Sequence, residues 1–146
     1  MKKFAFSLQK MYDYKKQILE SEKNVLMAFR REKNEYEKRI EDLDVLSDQI
    51  RQKSNREVAS GTTASKLMFF SMQLDGIKRE QTQLKYQINL TEMKIEKQRR
   101  KVVAVSQEVS GLEKLRDAQK EEYNHQAAKE NEAAIEEFLS FKLSAE

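Results

Sequence analysis

The sequence predicts an all-α fold: a long antiparallel two-helix coiled-coil hairpin whose second helix runs past the end of the first. Three observations predict it. The 146 residues include 28 Lys/Arg and 25 Asp/Glu and are only 38% hydrophobic, too polar for a thick core. There is no proline and only 3 glycines, so the punctuation that β-sandwiches and alternating α/β folds need is missing. Aliphatic and aromatic residues nevertheless recur at steps of three and four, which separates the chain from a disordered polyampholyte.

The expected first helix covers about 4–53. Steps of seven from Phe4 give Phe4, Met11, Ile18, Val25, Glu32, Arg39 and Leu46, interleaved with Leu8, Lys15, Glu22, Phe29, Tyr36, Leu43 and Ile50. Such a narrow, mostly apolar stripe needs a second helix laid along it. Glu32 and Arg39 weaken the stripe at its middle. A Ser/Thr/Gly cluster then predicts a reversal over about 54–62, in which Gly61 supplies a left-handed residue and Thr62 or Thr63 caps the next helix.

The expected second helix covers about 63–140. Its stripe runs through Leu67, Leu74, Gln81, Ile88, Ile95, Val102 and Val109, interleaved with Phe70, Ile77, Leu84, Thr91, Gln98, Val105 and Leu112. Folding back at the turn puts Ile50 near Leu67 and Phe4 near Val109 to Leu112. The first helix is then about 75 Å long, and the second overhangs it by roughly 25 residues. The whole chain is read as a single coiled-coil domain, 1–146.

Three features lie outside the stripes. Met68, Phe69 and Met72 fall on the outer side of the second helix while Leu67, Phe70 and Leu74 face inward. They form either a docking patch or a spot that the turn folds over. The tail carries Ile135, Phe138 and Leu139 at helical spacing with no internal partner, reading as a partner-seeking end or as a frayed terminus. Charge is also polarised: residues 1–30 hold seven Lys/Arg against three Asp/Glu, and residues 113–146 hold five against nine. The basic start would suit an acidic protein rim or an anionic membrane surface, or would simply solvate the coil.

Chemistry is restricted by the same counts. With no cysteine and one histidine, His125, there is no disulfide framework, no thiolate metal site and no Cys/His pair. No phosphate-binding glycine loop occurs, and the carboxylates have no pocket to tune them. No enzyme, cofactor or metal is expected. The basic run Lys94, Lys97, Arg99, Arg100 and Lys101 is flanked by Glu92, Glu96 and Glu108, which argues against nucleic acid. No apolar run reaches membrane-spanning or signal-peptide length, and the chain is read as cytoplasmic.

The start Met-Lys-Lys-Phe-Ala-Phe-Ser-Leu, the Ser60-Gly61 turn before an aromatic segment, the run Leu112-Glu113-Lys114-Leu115 and the acidic Glu136-Glu137-Phe138 resemble the flagellar export protein FliJ family over essentially the whole chain. The resemblance implies a non-enzymatic cytoplasmic component of the bacterial flagellar type III export apparatus, needed for flagellum assembly and motility. It implies a stalk-like hairpin whose helix ends enter the export ATPase hexamer, which would make Phe4, Phe6, Leu8, Ile135, Phe138 and Leu139 the ATPase-side contacts.

It further implies contact with the cytoplasmic linker of the membrane export gate through an aromatic and a leucine, and a role with export chaperones. That pair falls on Phe70 and Leu74 in one alignment and on Gln73 and Ile77 when counted from Gly61. The cluster Met68, Phe69, Phe70, Met72, Leu74 and Ile77 is therefore taken whole as the gate side. The membrane would be reached only indirectly or peripherally, at the flagellar base. The alternative function is a homo-oligomeric structural coiled coil or cargo adaptor, with both stripes zipping between chains.

Overall fold

A computed structural model describes residues 2–145. Two helices, α1 (Gln9–Ser60) and α2 (Ala64–Ala145), pack against each other and are joined by residues 61–63; there is no strand among the described residues. The chain forms two compact units, one made by the residues up to Glu22 with those from Lys101 onward, the other by Lys23–Arg100.

The turn is three residues, shorter than the nine or so expected. Nothing between Ser54 and Ser60 forbids a helix, and Ser54 and Glu57 are half-buried on its inner face, so α1 continues. It stops at Gly61, the only one of the described residues with positive φ, +87°. Ser60 Oγ donates to the carbonyls of Arg56 at 3.0 Å and Glu57 at 3.4 Å, adding side-chain bonds to the last turn. Thr63 is the N-cap of α2: its Oγ1 accepts from the Lys66 amide at 3.3 Å.

The inner face of α2 is the predicted stripe from Phe70 onward. Phe70, Ile77, Thr91, Gln98 and Val109 are buried, and the intervening members are half-buried; Leu67, beside the turn, is exposed. On α1 only half of the expected stripe faces inward. Lys15, Glu22, Phe29, Tyr36, Leu43 and Ile50 do, but they alternate with Tyr12, Leu19, Leu26, Lys33, Ile40 and Ser47, each one residue beyond the predicted Met11, Ile18, Val25, Glu32, Arg39 and Leu46. Met11, Val25, Arg39 and Leu46 are exposed.

The cause is a set of apolar doublets, Met11-Tyr12, Ile18-Leu19 and Val25-Leu26, which satisfy both alignments. One residue turns a helix by about 100°, and Ile40 in place of Arg39 decides the register. The charged residues that seemed to interrupt the core are thus peripheral. Arg39 reaches Glu80 at 3.1 Å, and Glu32 accepts from the Tyr36 hydroxyl at 3.0 Å.

Within Lys23–Arg100 the core beside the turn is apolar, with Leu43, Ile50, Phe70 and Ile77 clustered and Leu74 and Leu84 packed on them. Further along it becomes polar. The Gln81 amide donates to the Ile40 carbonyl at 3.3 Å and to Asp44 at 2.7 Å. Thr91, only 2% exposed, donates to the Gln87 carbonyl at 2.9 Å. Such hydrogen-bonded layers lower stability but restrict the alignments two helices can adopt. Lys33 pairs with Glu92 at 3.2 Å, and Lys94 lies 5.9 Å from the Phe29 ring centroid. Residue numbers on α1 fall as those of their partners on α2 rise, so the pairing is antiparallel.

In the other unit, Phe6, Tyr12 and Val109 form the core, with Phe4, Leu8, Leu19, Val105 and Leu112 against it. The first helix was expected from about residue 4, but residues 2–6 are non-helical and α1 opens with the Gln9 amide on the Phe6 carbonyl at 3.1 Å. Burial there alternates: Phe4, Phe6 and Leu8 are sheltered, whereas Lys3, Ala5 and Ser7 are exposed. A period of two places three apolar side chains on one side of a strap, where a helix would scatter them around its axis.

Candidate functional site

No catalytic constellation was expected, so the candidate sites are surfaces. Of the six residues expected on the gate side, Phe70 and Ile77 are buried and Leu74 is half-buried, all three in the apolar core against α1. Met68, Phe69 and Met72 point outward, with Met72 67% exposed. Burial by a folded-over turn does not occur. Their arrangement follows from helical spacing, since the outward residues lie three and four apart on the face away from the stripe.

A hollow of about 360 Å³ adjoins this patch, lined by Lys53, Glu57, Ser65, Lys66, Phe69 and Phe70. Lys53 was expected at the end of the first helix and Glu57 in the turn; α1 runs through both and presents them as neighbours on a helix. Helix continuation through a glycine-free stretch was the available signal.

The six residues expected on the ATPase side divide in two. Phe6 is 7% exposed, and Phe4 and Leu8 pack on the same core. The Phe4 ring lies 5.6 Å from that of Tyr123 at 54°, and the Tyr123 hydroxyl donates to the Lys2 carbonyl. Tyr12 is buried beneath, donating to Glu113 at 2.8 Å with Lys16 and Arg116 at 5.1 and 5.0 Å from its ring centroid. Lys15 and Glu108 pair alongside at 2.5 Å.

Arg116, Gln119, Tyr123 and Ala127 are consequently half-buried, and the inner stripe of α2 extends beyond Leu112, where it was expected to fade. From residue 128 to 145 every side chain is exposed. There Ile135, Phe138, Leu139, Phe141 and Leu143 stand in solvent, Phe138 at 64%. The strap residues are thus not gathered with Ile135, Phe138 and Leu139.

Ionisation is perturbed at two places on the surface. Hydrogen bonding from Arg99 above all, with Arg100 adding to it, lowers Glu96 to about 2; the Arg99 contact is 2.8 Å. Tyr36 is raised by its hydrogen bond to Glu32. His125 is exposed on α2. Among the described residues no group of three His, Cys, Asp or Glu is placed to hold a metal ion, and no helix is long and apolar enough to cross a membrane.

Neither the curated proteins nor the solved structures compared with this chain give a match. The flagellar FliJ protein family matches residues 4–145. The likeness seen in the strap sequence and the turn therefore extends over nearly the entire chain, and the chain belongs to the FliJ family, with which it is a non-enzymatic component of the flagellar export apparatus.

Proposed function

We propose that this chain couples the export ATPase hexamer to the membrane export gate at the cytoplasmic face of the flagellar base, and assists export chaperones there. The observation that carries this reading is the unpacked part of α2: residues 128–145 are helical, exposed throughout and striped with Ile135, Phe138 and Leu139. A helix of that length standing alone is marginal in water. Burying each of the three in a receptor supplies about 1.5–3 kcal/mol before association costs are subtracted.

The strap residues Phe4, Phe6 and Leu8 serve the same contact indirectly, by fixing the part of α2 from which the free segment emerges. Gate contact is assigned to the outward Met68, Phe69 and Met72, with Phe70, Leu74 and Ile77 holding that face of α2 in place. Met side chains adapt to varied partners, and an exposed phenylalanine is a plausible anchor for one.

Truncation after Ala127 tests the ATPase side. Purified truncated protein should no longer stimulate the ATPase ring, while the remaining chain keeps its helicity; undiminished stimulation would remove the tail from the mechanism. For the gate side, the M68S/F69S/M72S variant should bind the gate linker more weakly, and an unchanged titration curve would count against the patch. Light scattering distinguishes the homo-oligomeric alternative, in which mass and melting temperature rise with concentration.

A further inference from the structure

The hollow beside the turn is built from unlike parts. Phe69 and Phe70, with ring centroids 6.3 Å apart and planes tilted by 57°, supply an apolar wall. Lys53 and Lys66 supply cations, and Glu57 holds Lys66 only loosely, at 3.7 Å with both side chains partly solvated. Lys53, and Arg56 three residues further along α1 and outside the lining, have no ion-pair partner among the described residues. Residues 51–70 carry Arg51, Lys53, Arg56 and Lys66 against Glu57 alone.

We propose that this hollow receives an extended or helical segment of a second protein in which a bulky apolar side chain is flanked by carboxylates. The apolar side chain would lie against Phe69, and the carboxylates would meet Lys53, Arg56 and Lys66. Rim charges of this kind select the sign of the partner and speed its approach more than they add affinity, which makes the apolar wall the anchor. Glu57 repels phosphate and carboxylate alike; a hollow with an aromatic wall, unlike a flat surface, suits a single protruding side chain, which favours a peptide over a lipid surface. The proposal rests on the gate-contact reading and adds to it the chemistry of the contacting segment: acidic, with an apolar anchor.

The test uses the full chain and two labelled synthetic peptides, one with Leu and Phe four residues apart flanked by Glu, the other with Lys in place of every Glu. Fluorescence anisotropy should give binding of the acidic peptide roughly tenfold tighter than the basic one, weakening with added salt. K53E/R56E should reverse the order, and F69S should weaken the acidic peptide by roughly tenfold without altering the preference for its sign.

Equal affinity for the two peptides, or an acidic peptide indifferent to K53E/R56E, overturns the proposal. So does preferential binding to phosphatidylserine vesicles. A mass that grows with concentration and reverts on truncation after Ala127 would make the occupant the acidic tail of a second copy, which also overturns it. The gate reading is separable: linker binding lost in M68S/F69S/M72S but unaffected by K53E/R56E refutes the acidic chemistry alone. No linker binding by the wild type, with the acidic peptide still bound, refutes the gate assignment alone.

Discussion

Two stretches of α2, 105–123 and 128–145, carry similar apolar stripes and have opposite fates. Val105, Val109, Leu112 and Tyr123 are sheltered because the strap and Tyr12 lie over them, whereas Ile135, Phe138 and Leu139 have nothing above them. Helix propensity does not distinguish the two, and neither does spacing. Coverage does: a stripe becomes core where the same chain arrives to cover it and stays in solvent where it does not.

Removing the cover is the strongest way to break that contrast. Phe6→Ala should destabilise the unit by about 3–5 kcal/mol, because a buried ring is lost and the strap has little else to close the gap. Hydrogen exchange of the amides around Val109 to Tyr123 should then approach the rate seen after residue 128. If those amides stay protected, the strap is not what shelters them. A smaller loss, about 1–2 kcal/mol, is expected for Tyr12→Phe, which leaves the ring and its cations but deprives Glu113 of its donor. Thermal melting of single and double variants with Glu113→Gln would show whether the two changes overlap, as a shared bond requires.

On the uncovered stretch the expectation is reversed. The I135S/F138S variant should change stability by no more than about 0.5 kcal/mol while ATPase-ring stimulation falls. A large drop in melting temperature would show that these side chains already have a place in the fold.

The smallest effect concerns Glu96, whose contacts to Arg99 and Arg100 are on the surface and involve neither stripe. Its carboxylate is favoured in the folded chain. The contribution is therefore complete above its ordinary value of 4.5 and disappears as pH falls through about 2. Carbon-detected NMR should place the Glu96 midpoint near 2, and a midpoint near 4.5 would mean that the arginines do not hold it.

How much of this was legible in the sequence depended on redundancy. The stripe of α2 could be followed because single apolar residues mark it, with Gln81, Thr91 and Gln98 as its polar members. On α1 the doublets Ile18-Leu19 and Val25-Leu26 satisfied two alignments, and counting apolar residues could not choose between them. The strap was missed for a related reason. Phe4 and Leu8 suit helical spacing as well as alternation, and only Phe6, which fits the alternation alone, separates the two.

At the candidate sites, the outward Met68, Phe69 and Met72 followed from helical geometry. The hollow that Glu57 forms with Lys53 did not, because the Ser/Thr-rich stretch from Ser54 to Ser60 reads as loop and is helix. Residue type indicates where a chain is able to bend; absence of proline and the pull of a buried face determine whether it does.

The bond from Tyr12 to Glu113 joins residues 101 apart in sequence, and that from Tyr123 to Lys2 joins residues 121 apart. Meeting directly from a random coil would cost the first of these ~2 kcal/mol more in closure entropy than a pair nine residues apart such as Glu57 and Lys66. Zipping outward from Gly61 avoids that cost by closing many short steps in succession. Among contacts distant in sequence, the strap should then be the last seam to be sewn and the first to come undone.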